Sequence, residues 1–159
     1  MTPTHAATLI VLRESLGMLR DAIDGLPDEA ADWRPAPGTN SVAVLVTHSI
    51  TSARFFLGNG SNRPGSIVRY RAEERARSFE ASGVAVAGLV KAIDAFIPEA
   101  EEMLANGDEA SLAAIVDWSA EAPGEPVRSG VECLLRAVAH LREHVGQVQL
   151  MRDLWLARA

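Results

Sequence analysis

Apolar residues recur at three- and four-residue intervals in four stretches of the chain, and the segments between them hold the helix breakers. The first stretch, about Thr4 to Asp24, places Leu9, Leu12, Leu16, Leu19 and Ile23 on one face and ends at Gly25 and Pro27. The second follows a capping pair, Asn40-Ser41, and carries Val42, Leu45, Val46, Ala53 and Phe56 on one side as far as Gly58. A third is expected from about Ser82 to Ala105, burying Val86, Leu89, Val90, Ile93, Ile97 and Met103. Pro98 should kink or split it, because proline has no N–H to give the helix. The fourth, Val131 to about Ala157, repeats through Leu134, Val138, Leu141, Val145, Val148 and Trp155.

The linkers are long. Leu26 to Asn40 is rich in Pro, Asp and Ala and reads as a loop with Trp33 as its one large anchor. Gly58 to Pro64 is a turn cluster, and Arg69 to Phe79 is polar with mixed charge, together a long crossover. Leu112 to Trp118 is a short apolar segment before a breaker-rich run that ends at Gly130. No stretch alternates strictly enough to predict a substantial strand. The pattern therefore predicts an all-α four-helix bundle with crossover connections, a single domain over residues 1–159.

Composition narrows the function. Hydrophobic residues at 48% and charged residues at 23% exclude an intrinsically disordered chain. A net charge of −6 argues against a nucleic acid partner, since phosphate binding needs clustered basic residues. No apolar run approaches the roughly 18 residues of a membrane span, and no basic segment precedes the first apolar stretch. A cytoplasmic protein with no membrane partner is expected. The single cysteine, Cys133, removes any disulfide framework or CxxC site. Of 15 basic residues only Lys91 is lysine, a bias that with the abundant alanine reflects GC-rich coding more than chemistry.

The chemistry rests on histidines. His140 and His144 stand at i,i+4 in the fourth helix, so both rings share one face and their nitrogens can converge on one ion. A rotation of about 100° per residue puts them on the flank of the apolar stripe, beside Cys133, Gln147 and Met151. His48 takes the matching position on the second helix, beside Val44, Ser52 and Phe55. Any one of these could be an ordinary boundary histidine; three in matching positions on two elements point to a metal site in a cleft between the helices. His5 reads as a solvated terminal residue. The string His140-Leu-Arg-Glu143-His144 also fits the HxxEH pattern of inverted zinc proteases, but few residues follow in which to find their downstream acidic ligand.

Trp33-Arg-Pro-Ala-Pro-Gly-Thr-Asn-Ser-Val leading into the helix of His48, the Arg-rich crossover ending near Phe79, and His140-Leu-Arg-Glu-His144-Val-Gly-Gln147 together resemble the DinB/YfiT-like family. The resemblance spans nearly the whole chain. It implies a four-helix bundle of up-up-down-down topology with one divalent metal held by His48, His140 and His144. It also implies a metal-dependent transferase or isomerase that uses a low-molecular-weight thiol (mycothiol, bacillithiol or glutathione), or a hydrolase, and a homodimer.

Three neutral imidazoles leave a position open on zinc or nickel, where a thiol or water is activated toward a small-molecule electrophile. Gln147 and Glu143 are candidates to support the site, against their plainer reading as surface residues. The group Arg63, Arg69, Arg71, Arg75 and Arg77 could attract a cofactor carboxylate, although interleaved Glu73, Glu74 and Glu80 favour a solvated crossover. Cys133 lies about 10 Å along the helix from His140, too far to be a ligand. The competing reading is a non-enzymatic metal-binding or stress-response protein, in which Trp33 and Trp118 are core plugs.

Overall fold

The structure is a computed structural model that describes residues 1–158. Four long helices, α1 (Pro3–Ile23), α3 (Val42–Asn59), α6 (Val86–Ala105) and α8 (Gly130–Leu156), surround one main apolar core. Shorter elements join them: α2 (Asp28–Asp32), α4 (Ile67–Arg69), α5 (Ala76–Phe79), α7 (Glu109–Ala113) and a two-residue antiparallel pair, β1 (Ile115–Val116) with β2 (Arg128–Ser129). Among the described residues no helix is long and apolar enough to cross a membrane.

Local chemistry accounts for the boundaries. Thr2 caps α1 by accepting from the His5 N–H, and Pro3 opens it where its missing N–H costs nothing. Ser41 caps α3, and Ser129 with Glu132 forms a capping box on α8. The third long helix begins at Val86, four residues later than its pattern predicted. Gly83 interrupts with φ +68°, and both aspartates of α2 reach across, Asp32 accepting from Gly83 N at 2.7 Å and Asp28 from Val86 N at 2.8 Å. The loop expected over Leu26 to Asn40 thus contains a short helix that caps α6 from outside. Of the two outcomes expected at Pro98, a kink or a split, the split does not occur: α6 is continuous through it.

Ion pairs reveal the helix directions. Arg13 meets Glu101 and Arg20 meets Asp94, so α1 and α6 are antiparallel. Arg54 pairs with Glu99 while Arg63, just past α3, pairs with Glu102, so α3 and α6 run together. The end of α3 at Gly60 abuts Gly130 and Leu134 at the start of α8, which makes those two antiparallel. The helices therefore run up, down, down, up in chain order, which corrects the up-up-down-down order that the resemblance implied. The reason lies in the linkers: residues 24–41 close over one end of the bundle, and only residues 60–85 run its length.

That crossover is the main departure from the sequence pattern. The polar stretch Arg69 to Phe79 is helical, with six residues, Tyr70–Arg75, in a π-helix between α4 and α5. It adheres through a second apolar cluster of Phe55, Ile67, Tyr70, Trp118 and Cys133, in which Tyr70 stacks on Phe55 at 4.2 Å. π-Helical turns are rare and concentrate at functional sites. This one delivers Arg75 and Ser78 to the histidines.

Candidate metal centre

Ser41 and the Ser129–Glu132 capping box fix where α3 and α8 begin, and packing of their apolar faces turns His48 toward His140 and His144. The tertiary fold brings all three together. One ligand atom from each lies within 4.8 Å of the others. Ring centroids are 5.0 Å apart for His48 and His140, 5.2 Å for His48 and His144, and 4.3 Å for His140 and His144. His48 and His144 are buried and His140 is half-buried. Phe79 closes the far side of His48 at 4.5 Å.

Hydrogen bonds settle which nitrogen two of the three rings present. The Ser78 hydroxyl donates to the Arg75 carbonyl at 2.6 Å, so its oxygen is left to accept from His48 Nδ1–H at 3.1 Å. The Gln147 Oε1 accepts from His144 Nδ1–H at 2.7 Å. Both rings therefore turn an Nε2 lone pair inward. His48 has its pKa depressed to about 3, first by burial and then by His140, His144 and Arg75. His140 is depressed to about 4, again by burial first and then by His144, Arg136 and Arg75. These two rings are neutral at neutral pH, the form that ligates metals.

Such a site fits a cation. Nε2 of His140 and Nε2 of His144 stand 3.2 Å apart. Two imidazoles on a tetrahedral zinc with bonds of 2.0–2.1 Å would place their nitrogens about 3.3 Å apart. His140 Nδ1 is buried with no hydrogen-bond partner. If His140 holds its proton on Nε2, Nδ1 is an orphan acceptor; if on Nδ1, two lone pairs oppose each other across 3.2 Å. A cation at the convergence removes the second conflict by taking both lone pairs.

Beside the histidines lies a cavity of about 190 Å³ reached by His48, His140, Arg71, Arg75, Arg128 and Arg136, with Glu125 at its wall. A larger cavity of about 550 Å³, walled in part by Trp118, Asp117 and Asn62, contains none of the histidines.

Other residues singled out in the sequence meet mixed fates. Gln147 touches His144 directly and is no idle surface glutamine. Glu143 is exposed. Cys133 is fully buried in the second apolar cluster, and burial pushes its thiol up to about 11. Of the crossover arginines, Arg71 and Arg75 reach the cavity, whereas Arg63 pairs with Glu102 and Arg69 lies near Glu73 and Glu74. His5 is not solvated: it is fully buried, linking Thr2 Oγ1 at 2.8 Å to the Gly60 carbonyl at 3.0 Å and so tying α1 to the end of α3. Trp33 packs on the main core and meets Trp155 edge-on at 5.7 Å.

Sequence reasoning missed Ser78, Arg128 and Arg136. Arg136 carried a readable signal, since it stands one turn before His140 on the same face as the i,i+4 pair. Ser78 carried none, because its place depends on the path of the crossover.

A family profile described as the DinB superfamily matches residues 12–148, and the chain belongs to that superfamily. No curated protein matches the chain. Among solved structures it is similar to a conserved protein from Enterococcus faecalis, with a TM-score of 0.75, 15% identity and 99% of each chain covered. At that identity the likeness speaks for the fold alone.

Proposed function

We propose that His48, His140 and His144 hold one divalent metal, zinc or nickel, and that the protein is a metal-dependent transferase joining a low-molecular-weight thiol to a small electrophile. The observation that supports it is the convergence of three imidazoles, two with their Nδ1–H engaged elsewhere, at the edge of a cavity. A divalent ion held by three neutral imidazoles keeps an open position and lowers the pKa of a thiol or water bound there. Ser78 and Gln147 hold the inward lone pairs in place, and Phe79 shields one side of His48 from water. In the transfer the sulfur–carbon bond forms as a halide leaves with the thiol proton released to solvent, as the ring C–O bond of an epoxide opens and its oxygen takes a proton, or as the electron pair of a maleyl C=C moves to the neighbouring carbon, which takes a proton. The thiol itself, mycothiol, bacillithiol or glutathione, comes from the family likeness, and the GC-rich composition favours mycothiol.

The test begins with elemental analysis of protein purified without a histidine tag, beside His140→Ala. One zinc or nickel per wild-type chain and little in the variant is expected. Wild type that neither carries nor takes up either metal at micromolar levels would refute the site. Each thiol is then assayed against epoxides, halides and maleyl compounds. If metal binds but every combination stays at background, the protein is a metal-binding protein and not a transferase.

A further inference from the structure

Acidic residues outnumber basic ones by 21 to 15, and several arginines lie against carboxylates on helix surfaces, Arg13 on Glu101, Arg20 on Asp94 and Arg54 on Glu99 among them. The cavity beside the histidines is built differently. It gathers Arg71, Arg75, Arg128 and Arg136 around about 190 Å³, with Glu125 as its one carboxylate, and Glu125 pairs with Arg71. Among the described residues, Arg75, Arg128 and Arg136 have no carboxylate within ion-pair distance.

These three come from separate elements: the π-helical crossover, β2 and α8. The guanidinium of Arg75 lies 4.6 Å over the Phe79 ring, the same ring that packs on His48. Arg75 and Arg136 are exposed and Arg128 is half-buried, so the cavity opens to solvent; clustering charges of one sign along such a cleft still costs free energy through mutual repulsion, and an anion between them offsets that cost. Guanidinium groups present forked donors that match the paired oxygens of a carboxylate or phosphate.

We infer that Arg75, Arg128 and Arg136 form an oxyanion subsite adjoining the histidine trio, which holds the carboxylate or phosphate of a small substrate while its other end reaches the His48 and His140 edge. This rests on the metal reading for what the far end meets, but not for the anion itself. The cavity equals about six waters of liquid volume, enough for a short organic acid or for the charged end of a longer substrate.

Isothermal titration at low ionic strength tests this with two probes, succinate and inorganic phosphate, whose comparison separates a carboxylate site from a phosphate site. The proteins are tag-free wild type, Arg75→Gln/Arg136→Gln, Arg128→Gln, and Arg77→Gln as an exposed control outside the cavity, all checked for folding by circular dichroism. One saturable site for at least one probe is expected in wild type. Loss of a charge-assisted contact should weaken it by about tenfold or more in the cavity variants and leave Arg77→Gln unchanged. No saturable binding of either probe overturns the subsite, as does wild-type affinity in both cavity variants or an equal loss in Arg77→Gln. Metal content of the same samples separates the two readings. Anion binding without metal uptake refutes the metal site and leaves the subsite standing, whereas metal uptake without anion binding does the reverse.

Discussion

Replacing Ser78, a residue 1% exposed, with alanine removes a single oxygen, which accepts from His48 Nδ1–H at 3.1 Å. Two effects follow, and they separate in measurement. The first is on stability: a buried N–H left without an acceptor costs about 1–3 kcal/mol, which lowers the melting temperature of a chain of this size by about 2–12 °C. The second is on metal affinity, because His48 is then free to rotate or move its proton to Nε2, where the lone pair is needed. Loss of such an orienting partner weakens metal binding by about 10–100-fold, or about 1.4–2.7 kcal/mol. Gln147→Ala is the natural comparator. Gln147 is exposed and bonds His144 at 2.7 Å, so its loss should cost little stability and a similar factor in affinity. The assay is competition for zinc against a chromophoric chelator, beside thermal melts of the metal-free proteins. If Ser78→Ala keeps wild-type affinity while its melting temperature falls, Ser78 is a packing residue and the tautomer argument is wrong.

Metal-free protein should lose stability in acid, because His48 and His140 titrate near 3 and 4 in the fold, chiefly through burial, and near 6.5 when unfolded. The unfolded chain then binds more protons between those values, so this contribution is intact above about pH 6.5 and is lost as pH falls toward 3; urea midpoints against pH should show it, and a His48→Phe/His140→Phe variant with the same acid slope would contradict it. Gly130→Ala should destabilise by about 1–3 kcal/mol, since a Cβ there would sit 1.8 Å from the Ser111 carbonyl oxygen; a variant with an unchanged urea midpoint would show that the α7–α8 junction yields freely. Cys133, fully buried with its thiol pushed up to about 11, should resist alkylation at pH 8 until the protein is denatured; rapid labelling of native protein would place it at an accessible surface.

His140→Ala should leave a folded helical protein. Its ring flanks the apolar stripe, and the core of Leu12, Leu16, Ile93, Leu134 and Leu141 closes without it. Melting should fall mainly by the lost ligand linkage, about 2.7 kcal/mol when free metal is 100 times its dissociation constant. Circular dichroism melts of wild type with and without chelator provide the comparison. Wild type that unfolds at room temperature when stripped of metal would show that the ion holds the bundle together.

The four helices and the i,i+4 pair were legible in the sequence because both follow from a local rule. A helix repeats every 3.6 residues whatever it packs against, so apolar spacing places the long helices to within a few residues, and His140 and His144 must share a face wherever α8 lies. Capping residues Ser41 and Ser129 are local in the same sense. By contrast, helix directions, the buried role of His5 and the helical nature of residues 67–79 depend on contacts between segments far apart in the chain. The crossover looked polar because its outer face is solvated, and only two of its apolar residues, Ile67 and Tyr70, are buried on its inner face. No periodicity emerges from two positions.

The same division runs through the site. By itself the sequence determined that two imidazoles could meet one ion and that a third lay at the matching edge of another helix. Tertiary structure alone decided that His48 reaches them, that Ser78 orients it across 30 residues of chain, and that Arg75, Arg128 and Arg136 close on one cavity. Hydrogen bonds and charge act over a few ångströms, and sequence distance says nothing of which segments come that near; packing of α3 against α8, with the crossover folded over both, supplies that proximity.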